Sequence, residues 1–273
     1  IAQTGAKVVW ADTEALTGLI CPKSVEKLIT NKTKAIMIVH YAGMVANLNE
    51  FYRIREKYTI PIIEDCAHAF GAEYKGKKLG YYSDFAIYSF QAIKHLTTID
   101  GGLLFLKLSS DYDRAKKMRW FGLDKTIPRL QNDIKEVGFK YHMNDVNATF
   151  GLIQLDFLKE NVNKYIENGK FFDKALINID GIKIIKYHKD TNPSYWLYTA
   201  IVERRDDFIK YLESNGVMCS PLHLRNDRHS IFEDGSHLKG LDSFYSNFIH
   251  WGCGWWISEK DRIKIVDLIK KGW

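Results

Sequence analysis

The sequence predicts an α/β fold in which a mainly parallel central sheet is flanked by helices and is followed by a smaller C-terminal α+β domain. Between residues 1 and 107, short apolar runs alternate with amphipathic stretches, which is the order that βαβ units require. The apolar runs contain few alternating polar positions, so we expect helices to cover both faces of the sheet. After Gly181 the pattern changes to short strands and helices, which indicates a second unit.

Five strands are predicted in the first part of the chain, each from a short apolar run bounded by polar or turn residues. They cover residues 7–10, 35–40, 61–66, 84–90 and 102–107. Helical patterning fills two of the gaps, at residues 23–30 and 48–58. In the second of these helices Phe51, Ile54 and Arg55 follow the i, i+3, i+4 spacing, and Asn47 or Asn49 is expected to cap it.

The chain is predicted to turn helical after these strands. One helix ends at Met118, and a long one covers residues 144–176 and links the two domains. Strands at 182–187 and 196–202 follow, then a helix at 206–215 that ends before Gly216. The final helix covers residues 258–271, where Ser258 and Asp261 resemble a capping box. We therefore expect a large domain over residues 1–155, and the linking helix with a small domain over residues 156–273.

Composition excludes several classes of protein. With 273 residues, 46% of them hydrophobic, the chain can build one large domain or two unequal ones, and it is neither fibrous nor disordered. The formal net charge of +6 is spread through short clusters, so no nucleic-acid partner is predicted, whereas an anionic small substrate is compatible. No apolar stretch approaches the roughly 18–20 residues that span a bilayer, so no membrane partner is predicted.

The four cysteines lie far apart in the sequence, with no CxxC pair and no zinc-finger spacing. This pattern predicts reduced thiols in a cytoplasmic protein and no metal site.

Four polar side chains follow neighbouring strands of the predicted sheet: Asp65, His68, Ser89 and Lys94. Ligands of open α/β sheets bind beyond the carboxyl ends of the strands, so we expect these side chains to share one pocket. A buried aspartate there can hold a protonated heteroaromatic nitrogen. A lysine in apolar surroundings has a lowered pKa and becomes a nucleophilic amine and general base. Each residue alone has an ordinary alternative, such as a helix cap or a solvated loop; their combination predicts a site.

The series DxAHxxG over residues 65–71 and SFxxxK over residues 89–94, followed by Gly101-Gly102, closely resembles the DegT/StrS-type sugar aminotransferases. These are pyridoxal-phosphate enzymes of fold type I that convert keto-sugar nucleotides into amino-sugar nucleotides. The resemblance extends upstream to Gly5 and downstream to residues 138–151, with a looser match at residues 221–223 and in the final helix. It therefore covers nearly the whole chain.

The resemblance implies a role for each of these side chains. Lys94 would form the internal aldimine with pyridoxal 5′-phosphate, and Asp65 would pair with the pyridinium nitrogen and keep the ring an electron sink. His68 stands where the family has a residue near the cofactor's phenolic oxygen. Ser89 matches the hydroxyl that contacts the cofactor's phosphate, although a strand-end turn is its ordinary alternative.

The segment 138–143 resembles the family's loop that reaches into a neighbouring subunit, which implies a homodimer with shared active sites. Lys140 replaces an asparagine there, and it would bind the cofactor's phosphate as a point charge unless the loop is simply exposed and basic. His223, Arg225 and His95 are candidates for contacting the sugar-nucleotide substrate. Tryptophans at 251, 255 and 256 either stack on a base or sugar or pack in the core.

The implied activity is a pyridoxal-phosphate aminotransferase that converts a nucleotide-linked keto-deoxy sugar, with glutamate as the amino donor, as in polysaccharide or O-antigen biosynthesis. One alternative is the family's dehydratase branch, in which a histidine replaces the lysine; Lys94 argues against it. The other is a truncated, non-catalytic relative that binds sugar nucleotides. Family members normally carry roughly a hundred residues before the region of Gly5, so we expect part of the phosphate-binding cup to lie in such a segment.

Overall fold

The computed structural model of the chain describes residues 1–232 and 236–273. Its helices are α1 Pro22–Leu28, α2 Leu48–Tyr58, α3 Ser109–Met118, α4 Asp145–Leu176, α5 Arg205–Ser214, α6 Lys239–Asn247 and α7 Glu259–Lys271. Its strands are β1 Ile36–Val39, β2 Ile62–Asp65, β3 Glu73–Tyr74, β4 Lys77–Lys78, β5 Phe85–Ser89, β6 Gly102–Leu106, β7 Ile182–Ile184, β8 Thr191–Asn192, β9 Tyr198–Val202, β10 Cys219–Ser220 and β11 Phe248–Trp251.

The first sheet has the strand order β1-β2-β5-β6. β1 and β2 are parallel, β2 and β5 are parallel, and β6 returns antiparallel to β5. The predicted α/β fold with a mainly parallel sheet is therefore confirmed. β6 is the edge strand of this sheet within the described chain, and its Leu103, Leu104 and Phe105 side chains are nearly half exposed.

Helix α2 covers the first sheet in the predicted register. Its Phe51 and Ile54 side chains are fully buried in one cluster with Ile38 and Ile62 of the sheet. Asn47 caps the helix, since its side chain accepts a hydrogen bond from the Glu50 N–H. The packed pair of α2 and β2 fixes the end of β2, where the first candidate site residue lies.

The predicted strand at residues 7–10 is wrong, because this segment is irregular in the structure. A strand exists only when a neighbouring backbone completes its hydrogen-bond ladder, and residues 7–10 pair with no strand in the described chain. The apolar run carried no information about a pairing partner, and Val9 within it is 56% exposed.

The second sheet is antiparallel, with the order β10-β11-β9-β7. It packs on α4, α5 and α7 around a core that contains Phe172, Phe208 and Trp251. Trp251 is thus a core residue at 2% exposure, whereas Trp255 and Trp256 lie more than half exposed. The capping box at the start of α7 is confirmed, with Ser258 and Asp261 satisfying each other's backbone N–H groups.

Helix α4 begins at Asp145 and is capped by Asn144, whose side chain accepts a hydrogen bond from the Asn147 N–H. The apolar positions 146, 150, 153 and 157 in its first half are exposed in the described chain, whereas its second half packs into the core of the second sheet.

Several elements were missed because they are too short or too mixed for a periodic signal. β3, β4, β8 and β10 contain two residues each. The apolar run of β11 is interrupted by His250, and α6 contains Gly240, which lowers helix propensity. Among the helices of the described residues, none is both long and apolar enough to cross a membrane.

A buried hydrogen-bonded pair of side chains joins the ends of β1 and β2. His40 Nε2 lies 3.1 Å from Glu64 Oε2, and neither side chain is exposed. Tyr52 and the Gly80 N–H also donate to the Glu64 carboxylate, and the Ala46 N–H donates to His40 Nδ1. Cys66 lies beside this pair, with the three possible ligand atoms within 4.8 Å of one another. Because the protein supplies hydrogen-bond partners for both side chains, we interpret the pair as a structural link between β1 and β2.

We expect Glu64→Gln to lower the free energy of unfolding by about 2 kcal/mol at pH 7, since a buried charge-assisted network is lost. Burial alone would raise the pKa of Glu64, but the hydrogen bonds from His40, Tyr52 and the Gly80 N–H together outweigh burial and hold this pKa below 4.5. The stabilisation is therefore complete above pH 4.5 and is lost as the pH falls through the lowered pKa of the folded state. Urea unfolding at several pH values, with the exposed Glu56→Gln as control, measures it; a difference that does not shrink in acid contradicts this account.

Candidate active site

Lys94 lies in the turn after β5, where its N–H donates to the Gln91 carbonyl. Its side chain is half-buried, and its Nζ stands 4.1 Å from the centroid of the Trp196 ring. Burial lowers the pKa of the Lys94 amine, while the nearby negative charge of Asp65 opposes this shift. A larger share of free amine than an exposed lysine has at neutral pH is the property that a nucleophile and a proton carrier need.

Asp65 is the last residue of β2, at the carboxyl end of a parallel strand. Its Oδ1 accepts a hydrogen bond from the Ala67 N–H at 3.0 Å, which orients the carboxylate in the turn that follows. The side chain is partly buried, and its charge acts on the Lys94 amine. The fold thus presents one carboxylate and one amine at the same edge of the sheet.

His68 follows in the same turn and is held as a neutral hydrogen-bond donor. The Ala42 N–H lies 3.3 Å from its Nδ1, so Nδ1 is the acceptor and the ring proton belongs on Nε2. Its ring stacks on the Trp196 indole at a centroid distance of 3.8 Å. Burial, followed by the positive charge of Lys94, lowers the pKa of His68 to about 2. His68 therefore stays neutral across the physiological range and offers an N–H.

Ser89 is the last residue of β5. It lies two residues after Ile87, which pairs with Asp65 of β2. Its hydroxyl oxygen accepts a long hydrogen bond of 3.3 Å from the Gln91 N–H, which is a turn contact. The hydroxyl hydrogen points wherever an acceptor is offered, so Ser89 retains a donor for a ligand.

The loop after β10 and the turn after β1 contribute side chains to the same place. The His223 ring is stacked over His68 at 5.9 Å between centroids, and Tyr41 lies 5.8 Å from His68 and 6.3 Å from His223. The Tyr41 hydroxyl lies 2.8 Å from His250 Nε2, and Thr199 completes the chain on His250 Nδ1 at 3.0 Å. The structure thus places His223 beside His68, and its contact with a substrate stays a prediction.

Arg225 does not line this group and is engaged elsewhere. It is 8% exposed and forms a two-pronged ion pair with Asp227, at 3.0 Å and 2.7 Å, together with an ion pair to Asp242. Arg225 thus has a structural role, and its contact with a substrate stays a prediction. A guanidinium with two carboxylate partners anchors the loop that carries His223.

We expect Arg225→Met to lower the free energy of unfolding by about 3 kcal/mol, because the buried Asp227 carboxylate loses its partner. Denaturant unfolding measures this loss, with Lys239→Met as a surface control. An unchanged stability combined with a raised KM would instead indicate that Arg225 binds the substrate.

His95 is also buried, at 4% exposure. Its Nε2 lies 3.1 Å from the Ser194 carbonyl oxygen, and its ring packs on Tyr165 at 4.4 Å between centroids. Burial lowers the pKa of His95 to about 4, so the ring is neutral. The structure therefore places His95 in the packing beneath the site, and its predicted role as a substrate contact is not supported by this position.

Lys140 lies in the segment that follows α3, where its backbone pairs with Trp120. Its side chain is exposed, and no contact in the described chain joins it to Lys94 or Asp65. Its binding to a phosphate stays a prediction.

Sequence reasoning missed two members of the site, Tyr41 and Trp196. Tyr41 directly follows the noted Val39-His40 pair, so its position after β1 was an available signal. Trp196 is 4% exposed and comes from the start of the second sheet, about a hundred residues after Lys94. No local pattern links it to the lysine, because the contact exists only in the folded chain.

Comparison with known proteins agrees with this geometry. A family model described as the DegT/DnrJ/EryC1/StrS aminotransferase family matches residues 1–270. The chain is 30% identical to the UDP-4-amino-4,6-dideoxy-N-acetyl-beta-L-altrosamine transaminase of Campylobacter jejuni, covering 98% of this chain and 76% of the relative. It is 29% identical to the GDP-perosamine synthase of Escherichia coli O157:H7, covering 93% of this chain and 73% of the relative.

The sugar aminotransferase CalS13 from Micromonospora echinospora superposes with a TM-score of 0.97 at 33% identity, covering 100% of this chain and 76% of that structure. The chain thus spans about three quarters of the length of each of these relatives.

Proposed function

Because this chain belongs to the DegT/DnrJ/EryC1/StrS aminotransferase family and is a pyridoxal-phosphate-dependent sugar aminotransferase, we propose that it aminates a nucleotide-linked keto-deoxy sugar at the site of Lys94 and Asp65. The observation that carries the proposal is the meeting of a half-buried amine, a carboxylate and a neutral imidazole at one sheet edge. Glutamate is the amino donor in this proposal.

The residues fit the cofactor in their donor and acceptor chemistry. The Asp65 carboxylate suits a protonated ring nitrogen, and the Nε2–H of His68 suits a phenolic oxygen. The Lys94 amine, with its lowered pKa, suits a covalent bond to a carbonyl carbon. Pyridoxal phosphate supplies an electron sink that accepts the electron pair from the substrate carbon.

We assign the following work to the protein. Lys94 would take the proton from the donor's α-carbon with its free amine and would return it to the cofactor's C4′ carbon, first as a general base and then as a general acid. Asp65 holds a proton on the ring nitrogen by charge pairing. His68 would donate its Nε2–H to the cofactor's phenolic oxygen and fix the position of that oxygen. Ser89 and Lys140 are our candidates for binding the phosphate.

For the substrate side of the site, we propose that His223 and Tyr41 contact the sugar. Both rings lie within about 6 Å of His68, between the two sheets. The relatives carry the names of GDP-linked and UDP-linked sugar enzymes. The nucleotide and the carbon that is aminated depend on a few hydrogen bonds in this part of the pocket.

The organisation of the protein follows as part of the same proposal. We assign residues 1–155 to the cofactor-binding domain and residues 156–273 to the linking helix and small domain. Two copies would form a homodimer in which residues 138–143 reach the neighbouring site. All four cysteines are free, which supports a reducing compartment such as the cytoplasm. The lysine at position 94 disfavours the dehydratase alternative, whose branch has a histidine there.

The experiment is amino transfer by the purified protein. Supplied with pyridoxal phosphate, glutamate and a panel of nucleotide-linked 4-keto and 3-keto deoxy sugars, the protein should form 2-oxoglutarate and an amino sugar in equal amounts, detected by mass spectrometry. Aspartate and glutamine in place of glutamate test the donor. Cofactor uptake without transfer from any donor to any keto sugar contradicts the proposal.

A further inference from the structure

Trp196 contacts the Lys94 turn in two ways, through its ring and through its N–H. The indole Nε1–H donates to the Ile93 carbonyl oxygen at 2.9 Å, which fixes the backbone directly before the lysine. The ring itself lies 4.1 Å from the Lys94 Nζ, close enough for a cation–π contact with the protonated amine. One side chain thus restrains both the backbone and the reactive group of the lysine.

The same indole holds His68. The two rings are stacked at 3.8 Å with an interplanar angle of 21°, and the imidazole accepts the Ala42 N–H with its Nδ1. Stacking fixes the plane of the imidazole, and the Ala42 hydrogen bond then decides which nitrogen carries the proton. Lys94 and His68 come from different turns of the first sheet, so Trp196 is the group that sets their mutual position.

Contacts with helix α4 fix the backbone directly before Trp196. Tyr195, directly before it, has a φ of +51°, a left-handed conformation that costs energy for a residue with a Cβ. Its hydroxyl donates to Asp173 of α4 at 2.7 Å, and its ring lies over Gly169, where an added Cβ would come within 2.2 Å of the ring. These contacts hold a strained backbone that the local sequence would not adopt.

The turn after β1 binds the backbone on both sides of Trp196. The Ser194 N–H donates to the Gly43 carbonyl at 3.0 Å, and the Leu197 N–H donates to the Ala42 carbonyl at 3.4 Å. Gly43 has a φ of +89°, and a Cβ there would lie 2.6 Å from the backbone nitrogens of Tyr195 and Trp196. The residue at position 43 must therefore be glycine for Trp196 to reach the site.

We propose that Trp196 is a positioning residue of the active site, which sets the Lys94 amine and the His68 imidazole to act on the same ligand. This inference rests on the proposed function, because the ligand in question is the cofactor. It adds that the small unit of the chain takes part in cofactor chemistry through one buried aromatic side chain, without contributing a reacting group. A flat ring is required, since an aliphatic side chain fills space but cannot stack on the His68 imidazole.

The test compares Trp196→Phe, which keeps a ring but loses the N–H, with Trp196→Leu, which loses both. Trp255→Phe, on the exposed surface, is the matched control. Pyridoxal phosphate is titrated into each protein, trapped on Lys94 with borohydride and quantified by peptide mass. We expect Leu to weaken uptake about tenfold, Phe to retain most of it, and the control to match wild type. Thermal unfolding shows that each variant is folded.

The second readout needs neither cofactor nor activity. In ¹⁵N spectra of histidine-labelled protein, wild-type His68 should show a proton fixed on Nε2, and in Trp196→Leu its two nitrogens should shift toward an average of both tautomers. His68→Gln assigns this signal among the nine histidines.

The outcomes separate the two proposals. A Leu variant with wild-type uptake and an unchanged His68 signal overturns the positioning role, even if wild type is an active aminotransferase. A wild-type protein that takes up no cofactor, in which the Leu variant still alters the His68 signal, overturns the proposed function and leaves the positioning role standing.

Discussion

Replacing Lys94 with alanine should reduce amino transfer by about 10⁴-fold or more, since one substitution removes both the nucleophile and the proton carrier. The visible absorbance that arises when the cofactor joins a lysine amine should disappear with it. Because the side chain is half-buried and its aromatic contact among the described residues is with Trp196, the truncated variant is expected to stay folded. Turnover with glutamate and a keto sugar, together with the absorbance spectrum, measures both effects.

Two companions sharpen this experiment. Lys94→Arg keeps the positive charge and the long stem, but a guanidinium does not release its proton at any working pH, so it should be as inactive as alanine. Lys210→Ala removes an exposed lysine of α5 and should match wild type. If Lys94→Ala retains full transamination, the assignment of this residue is wrong, whichever lysine the cofactor then joins.

Asp65→Asn should lower turnover by about 10³-fold, the effect typical of losing one preorganised charge at a reacting centre. Asparagine has the same shape and still accepts the Ala67 N–H through its carbonyl oxygen, so the turn after β2 should persist. What it lacks is the negative charge that keeps a proton on the ring nitrogen of the cofactor. Steady-state turnover and cofactor affinity measure the two consequences separately: turnover should fall far more than affinity.

Asp65→Glu is the control for charge at this position, because it keeps the carboxylate and moves it by one methylene. We expect it to retain more activity than asparagine. An asparagine variant within tenfold of wild type, or a glutamate variant as inactive as asparagine, would mean that the negative charge of Asp65 is not what the reaction requires.

Strong local signals in the sequence predicted much of the fold. The limits of α2 follow from its apolar spacing and the Asn47 cap, and α7 follows from the pairing of Ser258 with Asp261. The predicted strand at residues 7–10 is wrong because a strand depends on a partner strand elsewhere in the chain, which residue propensities do not describe. The ion pairs of Arg225 were not predicted, because Asp242 reaches it only through the packing of α6 on the loop.

The sequence by itself determined the first half of the site. Asp65 and Lys94 follow adjacent parallel strands, and the geometry of such a sheet brings the strand ends to one edge wherever the rest of the chain goes. Only the tertiary structure decided the second half. Trp196 reaches the lysine because the segment before β9 packs against the turn after β1, at the glycine of position 43 and the strained Tyr195 backbone. Contacts between residues a hundred positions apart leave no periodic trace, since packing energy selects them only after the elements have formed.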